Sequence, residues 1–272
     1  MADVNVAQRD ARLVITLNRP ERHNSLTPSF MRDILAALEQ ATSDDIRLVL
    51  LQAKGRSFST GGDIMGFLDH AANSAQLQNY AADLVGTLNQ TLLALLALQK
   101  PVITVAQGLV TGGAAGLLFA SDYCLLAEDA FLQPYYGEVG FAPDGGWTAL
   151  LPEHIGRSRT LEIIMQNRRI VAPEAKALGI VDMISPCEGL LAHAEKLCDK
   201  IISQDKHTIA ASKSLLWSNS RRSQLAHLLE EEKQAFLHAI DRPECTRKMA
   251  AFVGGHVAAS SNTDHQTPGE KE

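Results

Sequence analysis

Short apolar runs recur along the first half of the chain and are rich in β-branched residues. Continuous runs of this kind are typical of strands buried on both faces of a sheet. Polar residues, glycine or proline bound each run, so each is predicted to be a separate strand. The predicted strands span residues 12–17, 48–51, 101–105 and 123–126.

Segments whose apolar residues have helical spacing lie between these runs. After the first strand, apolar residues recur with a period near 3.6, which predicts an amphipathic helix. Thr27 is a suitable N-cap for this helix and Pro28 suits its first turn. The apolar positions are Phe30, Met31, Ile34, Leu35 and Leu38. A long helix is predicted over 77–98 and a short buried helix over 114–120, while 69–78 is predicted to be mobile and partly helical.

Two glycine-rich turns directly follow predicted strands, at 58–63 and 108–116. Glycine lets a backbone N–H approach a ligand without an intervening Cβ. The order strand, glycine turn, helix recurs, which predicts an α/β protein with crossover connections. The two turns are candidates for binding a negatively charged oxygen.

The character of the chain changes near residue 184. Beyond it the pattern is helical, over 190–202, 207–217, 223–240 and 243–253. The sequence therefore predicts a core domain over 1–184 and a helical C-terminal region over 185–253. The segment 254–272 lacks an apolar face and is predicted to be a disordered tail.

Composition excludes several classes of function. The chain has 272 residues, is 46% hydrophobic and carries a formal charge of −6, with no basic stripe for nucleic acid. Cys124, Cys187, Cys198 and Cys245 are scattered without CxxC spacing, so neither a zinc site nor a disulfide framework is indicated. No signal peptide or membrane span is evident, which predicts a cytoplasmic protein without membrane partners.

Five segments, in order, resemble the crotonase (enoyl-CoA hydratase/isomerase) superfamily. They lie at 18–26, 58–63, 100–113, 139–156 and 175–181. The resemblance spans about Arg12 to Phe252 and implies a crotonase (ClpP-like) spiral of ββα units with a helical trimerisation region. It also implies an acyl-CoA substrate, no separate cofactor or metal, and a homotrimer or hexamer.

Position by position, the resemblance makes the N–H groups of Gly62 and Gly113 the oxyanion donors. The chemistry agrees for Gly113, because it lies where a helix is predicted to begin and a helix N-terminus favours negative charge. The alternative is that both glycines only permit tight turns. Residues implied to contact the substrate are Arg22, His23, Asn24, Leu26, Thr60, Asp63 and Tyr136. Arg22 could instead be a solvated surface residue and Asp63 a structural one, and 252–256 lacks the family's usual Lys or Arg.

Two catalytic glutamates of the family hydratases are absent, since Gly116 and Tyr136 occupy their positions. Asp144 instead stands in the run Pro143-Asp144-Gly145-Gly146. This run is similar to the Pro-Asp-x-Gly-Gly context of some crotonase isomerases. One base suffices for a 1,3-proton shift, so the sequence favours an acyl-CoA isomerase with Asp144 as base. Alternatively, Asp144 could cap a helix beginning at Gly145, Tyr136 could serve packing, and Glu138 is a reserve base.

Other activities remain open on the same fold. They are enoyl-CoA hydration, acyl-CoA hydrolysis, dehalogenation with Asp144 as nucleophile, and CoA binding without catalysis. A family dehalogenase also needs a histidine before the second glycine turn, and no His lies between His70 and His154.

Overall fold

A six-stranded sheet forms the centre of the computed structural model, which describes residues 2–263. Its strands are β1 (Val4–Arg9), β2 (Arg12–Leu17), β3 (Leu48–Ala53), β4 (Val102–Ala106), β6 (Tyr123–Ala127) and β9 (Met183–Ser185), in that spatial order. Only the β1–β2 pair is antiparallel; the other four pairs are parallel. The four predicted strands are all present. The β1 strand was missed because its exposed, partly polar sequence has no continuous apolar run.

A smaller sheet pairs β5 (Leu109–Thr111) with β7 (Phe131–Gln133) in parallel and β7 with β8 (Ile170–Val171) in antiparallel. After β4 and after β6, the chain passes within a few residues from the large sheet into the small one. This repeated strand–strand–helix unit brings both glycine turns to the edge of the small sheet, where Ser59 forms a bridge with Val110.

Helices cover the sheets and extend the chain at its C-terminus. They are α1 (Pro28–Glu39), α2 (Ile64–His70), α3 (Ser74–Ala97), α4 (Gly116–Phe119), α5 (Tyr136–Val139), α6 (Leu151–Ile155), α7 (Arg157–Met165), α8 (Ala172–Ala177), α9 (Cys187–Ile202), α10 (Lys206–Leu216), α11 (Asn219–Ile240) and α12 (Pro243–Thr263). Short 3-10 helices occupy Pro20–Arg22, Gln40–Thr42 and Gly112–Ala115.

The α1 helix forms as its sequence predicts. Thr27 Oγ1 accepts a hydrogen bond from the Phe30 amide, and Pro28 occupies the first turn. Phe30, Met31 and Ile34 are buried on its inner face. Satisfying an otherwise unpaired N–H while burying an apolar stripe is what stabilises a helix of this length.

Two helix boundaries differ from prediction. The region 69–78 is helical on both sides of a short turn, because Asn73 caps α3 through the Gln76 amide. The last helix was predicted to end at Val253 but continues to Thr263. Disorder of the tail stays a prediction. Extending an existing helix adds a hydrogen bond for each residue ordered, which offsets the cost of Gly254 and Gly255. Residues 264–272 lie outside the described residues.

Helix α10 is fastened to the core by a buried ion pair. Lys213 Nζ donates to Asp122 Oδ2 at 2.5 Å and to the carbonyls of Leu95 and Lys100. Asp122 also accepts from the Val102 amide, so the pair joins α10, α3 and β4. Asp122 therefore has a structural role. Within residues 2–263, no helix has both the length and the apolar character that crossing a membrane requires.

Candidate active site

A cavity of about 540 Å³ opens between the two glycine turns and the C-terminal helices. Gly62 and Gly113 both line it, as do Tyr136 and Asp144. These four residues lie far apart in the sequence, and the fold brings them to one space. Most of the remaining wall is apolar. A cavity of this size with few polar groups is typical of a small-molecule site.

The first glycine turn is held by the loop 18–26, which contains several of the residues implied to contact the substrate. The Leu26 amide donates to the Gly61 carbonyl at 2.8 Å, and the Asp63 amide donates to the Leu26 carbonyl at 2.9 Å. Gly62 lies between these bonds, and its own N–H makes no backbone hydrogen bond within the described part of the chain. That N–H is therefore available to a ligand in the cavity.

The second glycine turn begins a 3-10 helix that leads into α4. Gly113 is the second residue of this helix, where an N–H has no partner inside the helix. The two turns touch, since a Cβ added to Gly61 would lie 2.7 Å from the Thr111 carbonyl oxygen. The structure thus brings both predicted donors to the same cavity, with the Gly113 amide at a helical N-terminus.

Asp144 is a buried carboxylate on the cavity wall, 8% exposed. Tyr136 Oη donates to its Oδ1 at 2.7 Å and also lies 2.9 Å from its backbone carbonyl oxygen. Tyr136 is therefore more than packing: it fixes one carboxylate oxygen. The acidic side chain also lies against the second glycine turn, where its Oδ1 stands 2.9 Å from a Cβ built on Gly113.

Burial raises the pKa of Asp144 to about 7. Desolvation is the main cause; the hydrogen bond from Tyr136 lowers this pKa, and the charge of Glu232 raises it. The pKa of the Tyr136 phenol is raised well above its usual value by burial and by Asp144, so Tyr136 stays neutral and remains a donor. A carboxyl group that titrates near neutrality can both take and return a proton.

The alternative role of Asp144 as a helix cap is wrong. Residues 145–150 form successive turns, and the next helix begins at Leu151. Gly145 and Gly146 have φ of +62° and +84°, which an α-helix cannot contain. The Asp144 side chain accepts from Tyr136 instead of from a helical amide.

Glu232 is a buried acid that sequence reasoning missed. It lies on α11, and its carboxylate accepts hydrogen bonds from the segment that follows Asp144. The sequence holds a signal for it, because Leu225, Leu229, Glu232 and Phe236 follow one helical stripe. Its place in the run Glu230–Glu232 made it look like one of several solvated acids.

Three phenylalanines form the inner apolar wall. The rings of Phe67, Phe141 and Phe236 lie 4.7–5.8 Å apart, centroid to centroid, at tilted or edge-on angles. Aromatic rings prefer these angles, and the three come from α2, the loop before Asp144 and α11. The C-terminal region is therefore part of the cavity and not a separate appendage.

The predicted substrate-binding residues divide into two groups. Arg22, His23, Thr60 and Asp63 line the cavity. Arg22 is half-exposed and reaches Asp63 at 3.4 Å, whereas His23 Nδ1 lies 3.0 Å from Ser57 Oγ. An exposed cation at a cavity mouth is suited to a phosphate group.

Asn24 and Leu26 do not line the cavity. Asn24 is fully buried, donating to the carbonyls of Lys54 and Ser57 and accepting from the Arg19 amide. Its side chain shapes the loop, as the backbone of Leu26 does. Glu138, the reserve base, accepts from Asn167 at an exposed position and also lies away from the cavity lining.

Comparison with known proteins identifies a family and several relatives. A model of the enoyl-CoA hydratase/isomerase family matches residues 8–256. A trans-2-decenoyl-[acyl-carrier-protein] isomerase of Streptococcus mutans is 32% identical over 76% of the chain and 78% of its own length. A probable enoyl-CoA hydratase of Mycobacterium tuberculosis is 33% identical over 80% and 78%.

Among solved structures, an enoyl-CoA hydratase of Bacillus halodurans superposes with a TM-score of 0.86 at 23% identity. It covers 92% of this chain and is itself covered completely, which supports the crotonase fold predicted from the five motifs. With a family match over nearly the whole chain and relatives above 30% identity, this crotonase-fold enzyme belongs to the enoyl-CoA hydratase/isomerase family.

Proposed function

We propose that the protein is an isomerase that moves a double bond along an acyl thioester, with Asp144 as its sole general base. The observation that carries this proposal is the position of Asp144. It is a buried carboxylate at the cavity wall beside Gly113, while Gly116 and Tyr136 supply no second acid. The other acids of the lining differ: Glu21 is exposed, and Asp63 pairs with Arg22.

The proton shift needs only one base. Asp144 removes a proton from C2 of a 3-enoyl thioester, and the electron pair moves into the conjugated thioester enolate. The protonated Asp144 then returns the proton to C4, leaving the double bond between C2 and C3. The reverse direction uses the same steps. The N–H groups of Gly62 and Gly113 are the proposed donors to the enolate oxygen.

The pKa of Asp144 supports this chemistry. A value of about 7 leaves a large ionised fraction at neutral pH and still makes the acid form able to donate in the second step. A carboxyl group with a pKa near 4 would be a weaker base for a C–H bond. Tyr136 holds Oδ1, which leaves Oδ2 as the oxygen proposed to take the proton.

The substrate is proposed to be an acyl-CoA thioester. Arg22 supports a phosphate contact at the mouth, and the wall of Phe67, Phe141 and Phe236 supports an apolar acyl group. Hydration is less well supported, because the two-glutamate activation of water has no counterpart at Gly116 and Tyr136.

A panel of thioesters tests the proposal. The 3-enoyl, 2-enoyl and ring-epoxide CoA esters, together with a decenoyl group on acyl carrier protein, are assayed for proton shift, hydration and hydrolysis. A shifted double bond is the expected result, with transfer of deuterium from C2 to C4 when the substrate is labelled at C2. Hydration or hydrolysis without this shift would instead identify a hydratase or hydrolase, and no turnover would favour a CoA-binding protein.

Assembly into a homotrimer or hexamer stays a prediction. Met165, Leu215 and Leu216 are apolar side chains exposed on α7 and α10, and subunit contacts would cover surface of this kind. Light scattering at micromolar concentration measures the mass, and a monomeric mass would contradict the prediction.

A further inference from the structure

Glu232 holds the segment after Asp144 through four hydrogen bonds. Its Oε1 accepts from the Thr148 amide at 2.7 Å, the Thr148 hydroxyl at 2.6 Å and the Ala149 amide at 3.0 Å. Its Oε2 accepts from the Gly146 amide at 2.8 Å. The side chain is buried and forms no ion pair within residues 2–263. Backbone and hydroxyl donors alone stabilise its charge.

The segment needs such an anchor because its own backbone is irregular. Gly145 and Gly146 both adopt left-handed φ, so regular helical hydrogen bonds cannot satisfy the amides that follow. Buried N–H groups without partners are costly, and Glu232 accepts from three of them. The anchor comes from α11, more than eighty residues away in sequence, so it ties this segment to the C-terminal region.

The anchored segment begins at the proposed base. Tyr136 fixes Asp144 on one side, through Oδ1 and the backbone carbonyl. Glu232 fixes the residues that follow it on the other. Gly145 also packs closely on Gly113, since a Cβ on Gly145 would lie 2.4 Å from the Gly113 carbonyl oxygen. A shift of this segment would therefore move the base relative to the oxyanion turn.

We propose that Glu232 is a positioning residue for Asp144, acting through the backbone amides of Gly146, Thr148 and Ala149. The proposal rests on the isomerase function proposed above. It explains how a carboxylate lies in an apolar interior without a cation. Burial raises the pKa of Glu232, and the hydrogen bonds from Thr148, Gly146 and Ala149 lower it. A neutral side chain at 232 offers fewer acceptor sites and cannot satisfy the same set of donors.

The charge of Glu232 has a second effect on the base. The ionisable groups that act on the Asp144 carboxyl are Tyr136 from α5 and Glu232 from α11. Glu232 raises the pKa of Asp144, so removing its charge lowers that pKa. The base then ionises at lower pH, and the acid limb of the pH–rate profile moves down. A residue that only stabilised the fold would leave this limb in place.

Three variants test the proposal. Glu232→Gln removes the charge and replaces one acceptor oxygen by an amide donor facing the Gly146 N–H. Glu232→Asp keeps the charge but shortens the reach. Glu231→Gln is the matched control, because Glu231 is the exposed neighbour that pairs with His227. Each variant is first compared with wild type by hydrogen–deuterium exchange of the peptide covering 144–150, without substrate.

Faster exchange of 144–150 is expected in Glu232→Gln and unchanged exchange in Glu231→Gln. With substrate, Glu232→Gln should lower kcat by about 100-fold with little change in KM, the scale expected when a catalytic group is misplaced by about 1 Å. Its acid limb should move to lower pH. In Glu232→Asp, the acid limb of the pH–rate profile should return to its wild-type position, because the charge is restored. This variant should also recover part of kcat.

Unchanged exchange in Glu232→Gln would overturn the proposal whatever the activity of the wild-type enzyme. Faster exchange with unchanged kcat and pH profile would overturn it as well, because Glu232 would then be structural only. If Glu232→Gln does not fold, Thr148→Val removes one donor to Oε1, and Glu232→Asp carries the same two measurements. Absence of isomerisation in the wild type would refute the proposed function but leave the exchange result decisive for the anchor.

Discussion

The carbonyl oxygen of Gly145 lies 2.2 Å from the position that a Cβ on Gly116 would occupy. That distance is far below van der Waals contact, so no side chain fits at Gly116 while the 144–150 segment keeps its course. Family hydratases resemble this chain but carry a glutamate at the matching position. A glutamate at position 116 is therefore incompatible with the course of the 144–150 segment that places Asp144 in the cavity.

Gly116→Glu is accordingly expected not to restore hydration. The new side chain would displace the Gly145 backbone, since backbone cannot yield as a flexible side chain does, and Asp144 would move with it. We expect a lower melting temperature and loss of proton-shift activity. Thermal unfolding and the thioester assay measure the two effects, and a stable variant that hydrates a 2-enoyl-CoA would contradict this interpretation.

Asp144→Asn should abolish isomerisation and leave binding largely intact. Asparagine retains the size of the side chain and an oxygen that can accept from Tyr136, but it cannot accept a proton from C2. The expected loss of kcat is about 100- to 10,000-fold, the usual contribution of a general base. The rate at which the double bond shifts in the thioester assay gives kcat, and calorimetric titration with a CoA ester gives the affinity. Near wild-type turnover would exclude Asp144 as the base.

The same substitution should stabilise the protein at alkaline pH. The pKa of Asp144 is raised from its ordinary value of 3.8 to about 7 in the folded state, so the folded protein holds a proton that the unfolded chain releases. The stability that this protonated group contributes is present below pH 4 and is lost as pH rises toward 7. Ionising it in the folded state costs on the order of 4 kcal/mol as an upper limit.

Asp144→Asn is thus predicted to melt at a higher temperature than wild type at pH 8, with a smaller difference at pH 5. Melting curves across this range provide the measurement. A difference that does not depend on pH would show that the carboxylate is not the cause.

Tyr136→Phe should move the acid limb of kcat/KM to higher pH. The hydrogen bond from Tyr136 lowers the pKa of Asp144, so its removal raises that pKa and reduces the ionised base at a given pH. Below the midpoint, each unit of increase lowers the ionised fraction about tenfold. Rates measured from pH 5 to pH 9 give the shift. A limb that stays in place would show that Tyr136 serves packing alone.

Gly113→Ala should distinguish two roles of Gly113: its N–H as a donor, and the space that its missing side chain leaves for Asp144. Alanine keeps the N–H, but its Cβ would lie 2.9 Å from both Asp144 Oδ1 and Leu88 Cδ2. We expect a loss of kcat of about 100-fold from displacement of the base. Gly137→Ala is the matched control, because no atom lies within 4 Å of its added Cβ. Equal activities in the two variants would contradict the close approach.

Local patterns predicted much of the fold. The cap at Thr27 and the apolar run at Leu48 identified α1 and β3, because each depends on residues close together in the sequence. The β1 strand was missed, since pairing with β2 supports it more than its own pattern does. The helical extension beyond Val253 was missed for the related reason that helix growth depends on the turns before it.

The candidate site was predictable only in part. Motif order brought Gly62, Gly113 and Asp144 together because each lies in a distinctive glycine context. Glu232 and Phe236 carry no such context, and their role depends on where α11 crosses the 144–150 segment. Asn24 shows the converse, since it lies in a motif but its amide is used within the loop. The roles of these residues depend on which side chains the fold buries together, and the local sequence does not show this.

Because α11 contributes to the cavity, the active site cannot be complete until α11 has been synthesised. Asp144 leaves the ribosome well before Glu232 and Phe236 do. At 5–20 residues per second, the interval from 144 to 236 lasts about 5 to 20 s. During that interval, Glu232 is not yet present to anchor the 144–150 segment. Phe67 and Phe141 also lack their contacts with Phe236. A nascent chain that has not yet reached residue 236 therefore lacks part of the pocket wall.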